Sequence, residues 1–364
     1  MQNPYINPSR VINSSDFNDI SVKWSSPSNI ALVKYWGKYG RQFPSNPSVS
    51  FTLEKARTEM QVICTLNKDY SDNKTSVKLF FEGRRNEKFE SRISSFLESV
   101  TDIFPFLRQT ELQIHSKNSF PHSSGIASSA SSMSALALCL CDIEKELFGE
   151  KVVENFYQKV SYVARLASGS ACRSVFPIAS VWGKTSAVEE SSNEFGIGVG
   201  DRIHQVFTSF KDAILVLSDR EKSVSSSAGH GLMEDHPFAV QRFAKAEKNM
   251  QRIIQALAKG EIEDVGQIVE EEALMLHAMM MTSNPSYILF EPATIAVINE
   301  IRSFRKDTGI QAYFTLDAGP NVHLLYPEDQ ATSVEDFINT NLMKYCVPGK
   351  SIFDYCGQGP RKIN

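Results

Sequence analysis

No stretch of this 364-residue chain approaches eighteen uninterrupted apolar residues, and its first segment, MQNPYINPSRVINSSDF, is polar with no secretory apolar run. A membrane span is not expected, and a cytoplasmic location is the default. Cysteine is scarce: Cys64, Cys139, Cys141, Cys172, Cys346 and Cys356 are scattered, without a CxxC pair. That argues against a disulfide scaffold or structural zinc and for reduced thiols that pack. Excess positive charge is missing too. A formal net charge of −4 leaves no global footprint for nucleic acid or an anionic membrane. An anionic ligand would therefore need a local cationic pocket. The GxxxxGK[ST] arrangement is absent, so a Walker-type NTPase is not supported. None of the seven histidines stands at metal-ligand spacing from a second ligand.

The composition, 42% hydrophobic and 22% charged, is that of a soluble globular protein long enough for two cores. From about residue 20 to 115, SVKWSS, SVSFTL, EMQVICTL, SVKLFFEG and ELQIHS each fit strands, and RISSFLESVTDIFPFL has helical spacing up to Pro105. After Pro121 a glycine- and serine-rich loop runs into an apolar helix that ends near Gly149, and KVVENFYQKVSYVARLAS continues as a second helix. Beyond Asp212, DAILVLSD and QAYFTLDAG read as strands and HPFAVQRFAKAEKNMQRIIQALAKG and EIEDVGQIVEEEALMLHAMMM as long helices. The polar stretch 192–202 is the best domain boundary, which divides the chain into 1–200 and 201–364.

Four short stretches can carry chemistry, and each has a bland alternative. In PHSSGIASSA, Gly125 permits close backbone approach, Ser128 and Ser129 offer hydroxyls, and the following helix aims its amides at an anion. A close-packed Ser/Gly turn would look similar. NIALVKYWGK places Lys34 and Lys38 four residues apart around Tyr35 and Trp36. As a strand it would put Lys34, Trp36 and Lys38 on one face and Tyr35 on the other, unless the backbone turns. Solubilising lysines on an edge strand are the competing reading. SGSACRS combines small polar residues with one guanidinium, and Arg173 is a natural anion anchor. Cys172 beside it has no base in the sequence and reads as packing. In YFTLDAGPNVHL, Asp317 follows an apolar strand, a rigid position for a general base, although an Asp opening a turn is common. The run Glu270, Glu271, Glu272 reads as a solvated helix face, and His277 in its Met-rich helix as a core or interface residue.

Taken together, NIALVKYWGK, NSFPHSSGIASSAS, SGSACRS, EKSVSSSAG and FTLDAGPN stand in the order and spacing of the diphosphomevalonate decarboxylase family of the GHMP kinase superfamily, and GQGP resembles that family's closing GSGP. The resemblance implies an α+β fold, a GHMP kinase fold with a ribosomal-S5-domain-2-like N-terminal domain that binds ATP and a ferredoxin-like C-terminal domain. The active site lies between them, and the final segment is free to pack back on the N-terminal half. It implies ATP and Mg2+ as cofactors and mevalonate 5-diphosphate as substrate, phosphorylated on its 3-hydroxyl before phosphate and CO2 leave to give isopentenyl diphosphate. By the same resemblance Asp317 orients or deprotonates that hydroxyl, Arg173 binds the substrate carboxylate and Lys34 neutralises charge on the transferred phosphoryl group. Tyr35, Lys38, Lys222, Ser225 and Ser226 match diphosphate-holding positions, Asn29, Ser168 and Ser170 line the same pocket, and Ser129 matches the serine near the γ-phosphate and magnesium. The metal ligands themselves are not readable, and a homodimer is a family expectation. Departures fall on Ala167, on VFPIAS, on His122 to Ser124 and on His230, where the family usually has methionine. A mevalonate-type 3-kinase, a monophosphate decarboxylase and a catalytically silent anion-binding relative stay open as alternatives.

Overall fold

The computed structural model describes residues 3–13, 17–67, 75–120, 128–149, 155–220, 224 and 226–363. Its first half is organised on β1 (Ile20–Ala31) and β2 (Ser48–Leu66), which pair antiparallel from Ile20↔Cys64 to Ala31↔Ser50. The two expected strands SVSFTL and EMQVICTL are one continuous nineteen-residue strand. Pro27 cannot donate to the ladder, and the register shifts between Pro27 and Asn29, which re-aims the end of β1. β3 (Ser76–Phe81) lies parallel to β4 (Thr110–Asn118), and β4 pairs antiparallel with the far half of β2. The near half of β2 pairs with β5 (Ala179–Trp182), on which Ile197–Gly198 adds a further short strand. Arg361–Lys362, at the other end of the chain, closes the sheet beside β1.

Helix α1 (Glu87–Ser99) is amphipathic and buries Ile93, Phe96 and Leu97. Helices α2 (Ser128–Phe148) and α3 (Phe156–Ala167) share one apolar core with β1, β2 and β4. α2 is buried on all sides from Met133 to Glu144, as expected of a helix that is apolar around its circumference. Its small residues let it lie close to the sheet, where Ser134 Oγ meets Ser26 Oγ at 2.5 Å and Ser131 Oγ meets Thr58 Oγ1 at 2.7 Å. Gly149, with φ of +88°, ends it in the left-handed region that only glycine adopts at little cost.

The second sheet is antiparallel, in the order β7 (Tyr313–Thr315), β8 (Val322–Tyr326), β6 (Lys211–Leu215) and β9 (Ile352–Tyr355). Around it stand α4 (Ser226–Gly231), α5 (Ala239–Lys259), α6 (Ile262–Met281), α7 (Pro292–Thr308) and α8 (Ala331–Phe337). A single apolar cluster joins the two sheets, running from Leu32, Val33, Val49 and Phe51 to Phe210, Met250, Ile253 and Val269. Asp354 in β9 reinforces the junction, its carboxylate accepting the backbone N–H groups of Glu54, Lys55 and Ala56 at 2.7–3.0 Å. No helix among the described residues is long and apolar enough to cross a membrane.

Candidate active site

The chain leaves the β1 ladder at Leu32, and the backbone does turn: residues 34–37 are not a strand. Gly37, with φ of +90°, makes the turn, and a Cβ there would lie 2.9 Å from the Phe243 ring. The expected alternation therefore fails. Trp36 packs among Met233, Leu276, Met279 and Met280, away from Lys34 and Lys38. The Tyr35 ring lies edge-on to Trp182 at 4.7 Å, and its hydroxyl borders Gly169, where a Cβ would stand 3.0 Å from it. Burial pushes the Tyr35 hydroxyl well above the ordinary phenol range.

Lys34 is a buried cation. Its Nζ donates to Asp317 Oδ1 at 3.0 Å, with a side chain 2% exposed against 30% for Asp317. Burial lowers the lysine below its usual range, Asp317 opposes that most strongly, and Arg173 adds to it. Arg173 ends the 3-10 turn Gly169–Arg173, is buried, and donates from one terminal nitrogen to Ser48 Oγ. Its Nε is buried without a hydrogen-bond partner among the described residues. Burial lowers its pKa, and Cys172, Asp317 and Tyr35 counter this. Lys34, Arg173 and Asp317, drawn from sequence segments 283 positions apart at the extremes, thus act on one another electrostatically. Two desolvated cations beside a partly open carboxylate can hold anions and an ionised base at one place.

The other expected residues fall around this trio or behind it. Asn29 sits behind the Arg173 turn, its amide donating to Ser174 Oγ at 2.7 Å and Ser170 O at 3.2 Å. Ser168 and Ser170 are half-buried on that turn. Lys38 is half-buried, donates to Gln42 at 3.2 Å, and is lowered by burial and then by the nearby Arg92 of α1. Arg92 was not readable as a site residue, being one more cation on the polar face of an amphipathic helix. Ser128 and Ser129 stand half-buried in the first turn of α2, and Ser226 opens α4. Gly125, Lys222 and Ser225 lie outside the described residues, as do His122 to Ser124. Cys172 is buried and its thiol is pushed up to about 12 by burial, which suits packing and removes it as a nucleophile.

His230 of α4 accepts a hydrogen bond from Gly37 N–H through Nδ1 at 3.0 Å, its ring tilted on Tyr35 at 4.3 Å and on Trp36 at 4.6 Å. Burial and then Lys38 hold its pKa down at about 3, so the ring is neutral and can accept. The glutamate run is not a solvated face. Glu272 is fully buried against Arg242, at 2.6 Å, and Glu270 is buried against Arg305, at 2.7 Å; only Glu271 is substantially exposed. Successive residues on a helix are turned by about 100°, so three in a row cannot share one face. No group of three or more His, Cys, Asp or Glu side chains among the described residues is arranged to hold a metal.

Residues 26–193 match the model of the diphosphomevalonate decarboxylase-like N-terminal domain, and residues 213–358 that of the mevalonate 5-diphosphate decarboxylase C-terminal domain. The diphosphomevalonate decarboxylase of Debaryomyces hansenii is 27% identical over 323 residues, 85% of this chain and 80% of that one. The structure of mevalonate diphosphate decarboxylase from Staphylococcus aureus superposes with a TM-score of 0.81 at 26% identity, covering 95% of this chain and 99% of that chain. The protein abbreviated MDDEF, solved in complex with MVAPP, AMPPCP and magnesium, superposes with a TM-score of 0.79 at 26% identity, covering 95% and 100%. The α+β architecture expected from the motifs is therefore the one observed, a GHMP kinase fold with the candidate site between its two sheets, and the chain belongs to the diphosphomevalonate decarboxylase family.

Proposed function

We propose that this chain decarboxylates mevalonate 5-diphosphate at the expense of ATP, giving isopentenyl diphosphate, ADP, phosphate and CO2 by way of a 3-phosphorylated intermediate. The observation that carries the reading is the buried Lys34 ammonium 3.0 Å from the partly open Asp317 carboxylate, with the buried Arg173 beside them. Asp317, 3.0 Å from the Lys34 ammonium, is the carboxylate that would orient the 3-hydroxyl and take its proton as the oxygen attacks the γ-phosphate. Lys34 then offsets charge on the transferring phosphoryl group, and the unpartnered Nε of Arg173 gives the substrate carboxylate a donor until the carbon–carbon bond breaks. Tyr35, Lys38, Ser168, Ser170 and Ser226 are assigned to the diphosphate, while Asn29 holds the Arg173 turn from behind.

The N-terminus of α2 with Ser128 and Ser129 is assigned to the ATP phosphates. Magnesium, when bound, neutralises those phosphates. Ser129 is the hydroxyl that would hold the ion there. Residues 1–200 serve as the ATP-binding N-terminal domain of this reading and 201–364 as its C-terminal domain, and a cytoplasmic homodimer is the assembly it expects. Incubation with ATP, magnesium and mevalonate 5-diphosphate should release CO2 and ADP in equal amounts. ADP without CO2 would make the enzyme a 3-kinase, and preference for the monophosphate would shorten the substrate.

A further inference from the structure

Both partners of the Lys34–Asp317 pair are held by their main chains, and one helix, α6, reaches both of them. Glu272 of α6 accepts the Lys34 backbone N–H at 2.9 Å, and its carboxylate is locked by Arg242 at 2.6 Å and Asn249 at 2.7 Å. Arg242 of α5 also donates to the Lys34 carbonyl at 3.1 Å, beside Asn46 Nδ2 at 3.0 Å, so the ion pair grips both main-chain polar groups of that residue. One turn and a half further along α6, His277 Nε2 lies 3.1 Å from the Asp317 carbonyl, with its ring stacked on Phe290 at 4.0 Å. A carbonyl can only accept, so the imidazole donates there. The same helix fixes β7, the strand that leads to Asp317: Glu270 accepts from Phe314 N–H at 3.3 Å. At Gly266 the helix comes so close that a Cβ would lie 2.2 Å from the Tyr313 ring.

We infer that α6 is the positioning element for the reacting pair, with Glu272, supported by Arg242, and His277 as positioning residues that set the Lys34–Asp317 separation through main-chain hydrogen bonds. None of these three side chains reaches the reacting atoms. A buried, doubly hydrogen-bonded ion pair is a costly way to gain stability, and a set of rigid supports behind a catalytic pair is a use that repays it. The inference rests on the reading that Lys34 and Asp317 flank the reacting hydroxyl, because only then does their spacing govern rate.

The test uses the full chain and His277 first, since removing Glu272 alone would leave Arg242 buried without its counter-charge. His277→Phe keeps a ring on Phe290 and deletes the donor, whereas His277→Gln can place an amide nitrogen where Nε2 stands. Misplacement of a catalytic pair by a fraction of an ångström to about 1 Å lowers rate by roughly 10- to 100-fold, so kcat of His277→Phe should fall by that much while KM stays within about twofold. His277→Gln should recover most of the loss. Arg242→Lys, which keeps the charge against Glu272 but cannot grip the Lys34 carbonyl as well, should show the same loss of kcat at steady KM. Crystal structures of the variants supply a readout independent of turnover: in His277→Phe the Lys34 Nζ to Asp317 Oδ1 distance should open beyond hydrogen-bond reach from 3.0 Å. An unmoved pair, an unchanged kcat, or a loss that glutamine does not rescue would overturn the inference, and the structural readout stands even if the wild-type chain proves not to decarboxylate.

Discussion

Lys34 and Lys159 are both buried lysines, each with a side chain 2% exposed, and they sit in opposite kinds of surroundings. Lys159 reaches both oxygens of Glu144, at 2.5 and 2.7 Å; Glu144 is fully buried, Arg10 adds a second cation at 2.5 Å, and the Phe104 ring lies 4.9 Å from the ammonium. Lys34 reaches one oxygen of Asp317, a carboxylate still 30% exposed, with Arg173 as a second cation acting on it. The first arrangement is closed on all sides and can only hold α2 to α3 and the N-terminal segment. The second is partly open on the carboxylate side, where a ligand can approach the cations and the carboxylate together. Burial alone therefore does not mark a functional lysine; an exposed face on its partner does.

The comparison breaks most visibly at the two carboxylates. Asp317→Asn should lower kcat by about 10²–10⁴-fold, because the base is lost. Turnover near that of the parent would remove Asp317 from the mechanism and make its pair with Lys34 as structural as the other. Glu144→Gln should do the converse: it strands Lys159 and Arg10, at a cost of about 3–5 kcal/mol in denaturant unfolding, with kcat per folded molecule unchanged. A smaller and pH-dependent effect sharpens the role of α4. The His230 pKa is about 3 in the fold against 6.5 for the free side chain, so the unfolded chain binds the proton first. The stability that His230 contributes is whole above about pH 6.5 and is lost as pH falls from there toward about 3. His230→Met, which cannot titrate, should lose roughly 2 kcal/mol less than the parent between about pH 7 and pH 5 in urea unfolding. Parallel curves for the two proteins would mean that His230 is protonatable in place.

Much of the site was visible before the fold. Lys34 stood out by a second lysine four residues on, Arg173 by the small polar residues around it and Asp317 by the apolar strand before it, and the structure sets Lys34 against Asp317 with Arg173 acting on both. The supports were not visible. Glu272 stood in a run of three glutamates and looked solvated, although the 100° step of a helix means that such a run on an otherwise apolar segment must turn at least one member inward. That rule could have flagged the run, but no local signal points to Arg242, thirty residues away, as the partner. The long strand β2 was likewise read as two, because polar Glu54 and Lys55 stand between its apolar stretches SVSFTL and EMQVICTL. What keeps it continuous there is Asp354, some three hundred positions later, which takes their backbone N–H groups.

By itself the sequence determined the local events. Gly149 stops α2 because a left-handed residue must follow the helix, and the alternation of apolar residues makes β4 a strand. Only the tertiary structure decided which charges are closed and which stay open. That outcome depends on desolvation, and desolvation is set by what packs against a side chain from distant parts of the chain. Lys34 and Lys159 carry the same ammonium, and only the partners that packing delivers to them differ: an enclosed Glu144 for one, an exposed Asp317 for the other.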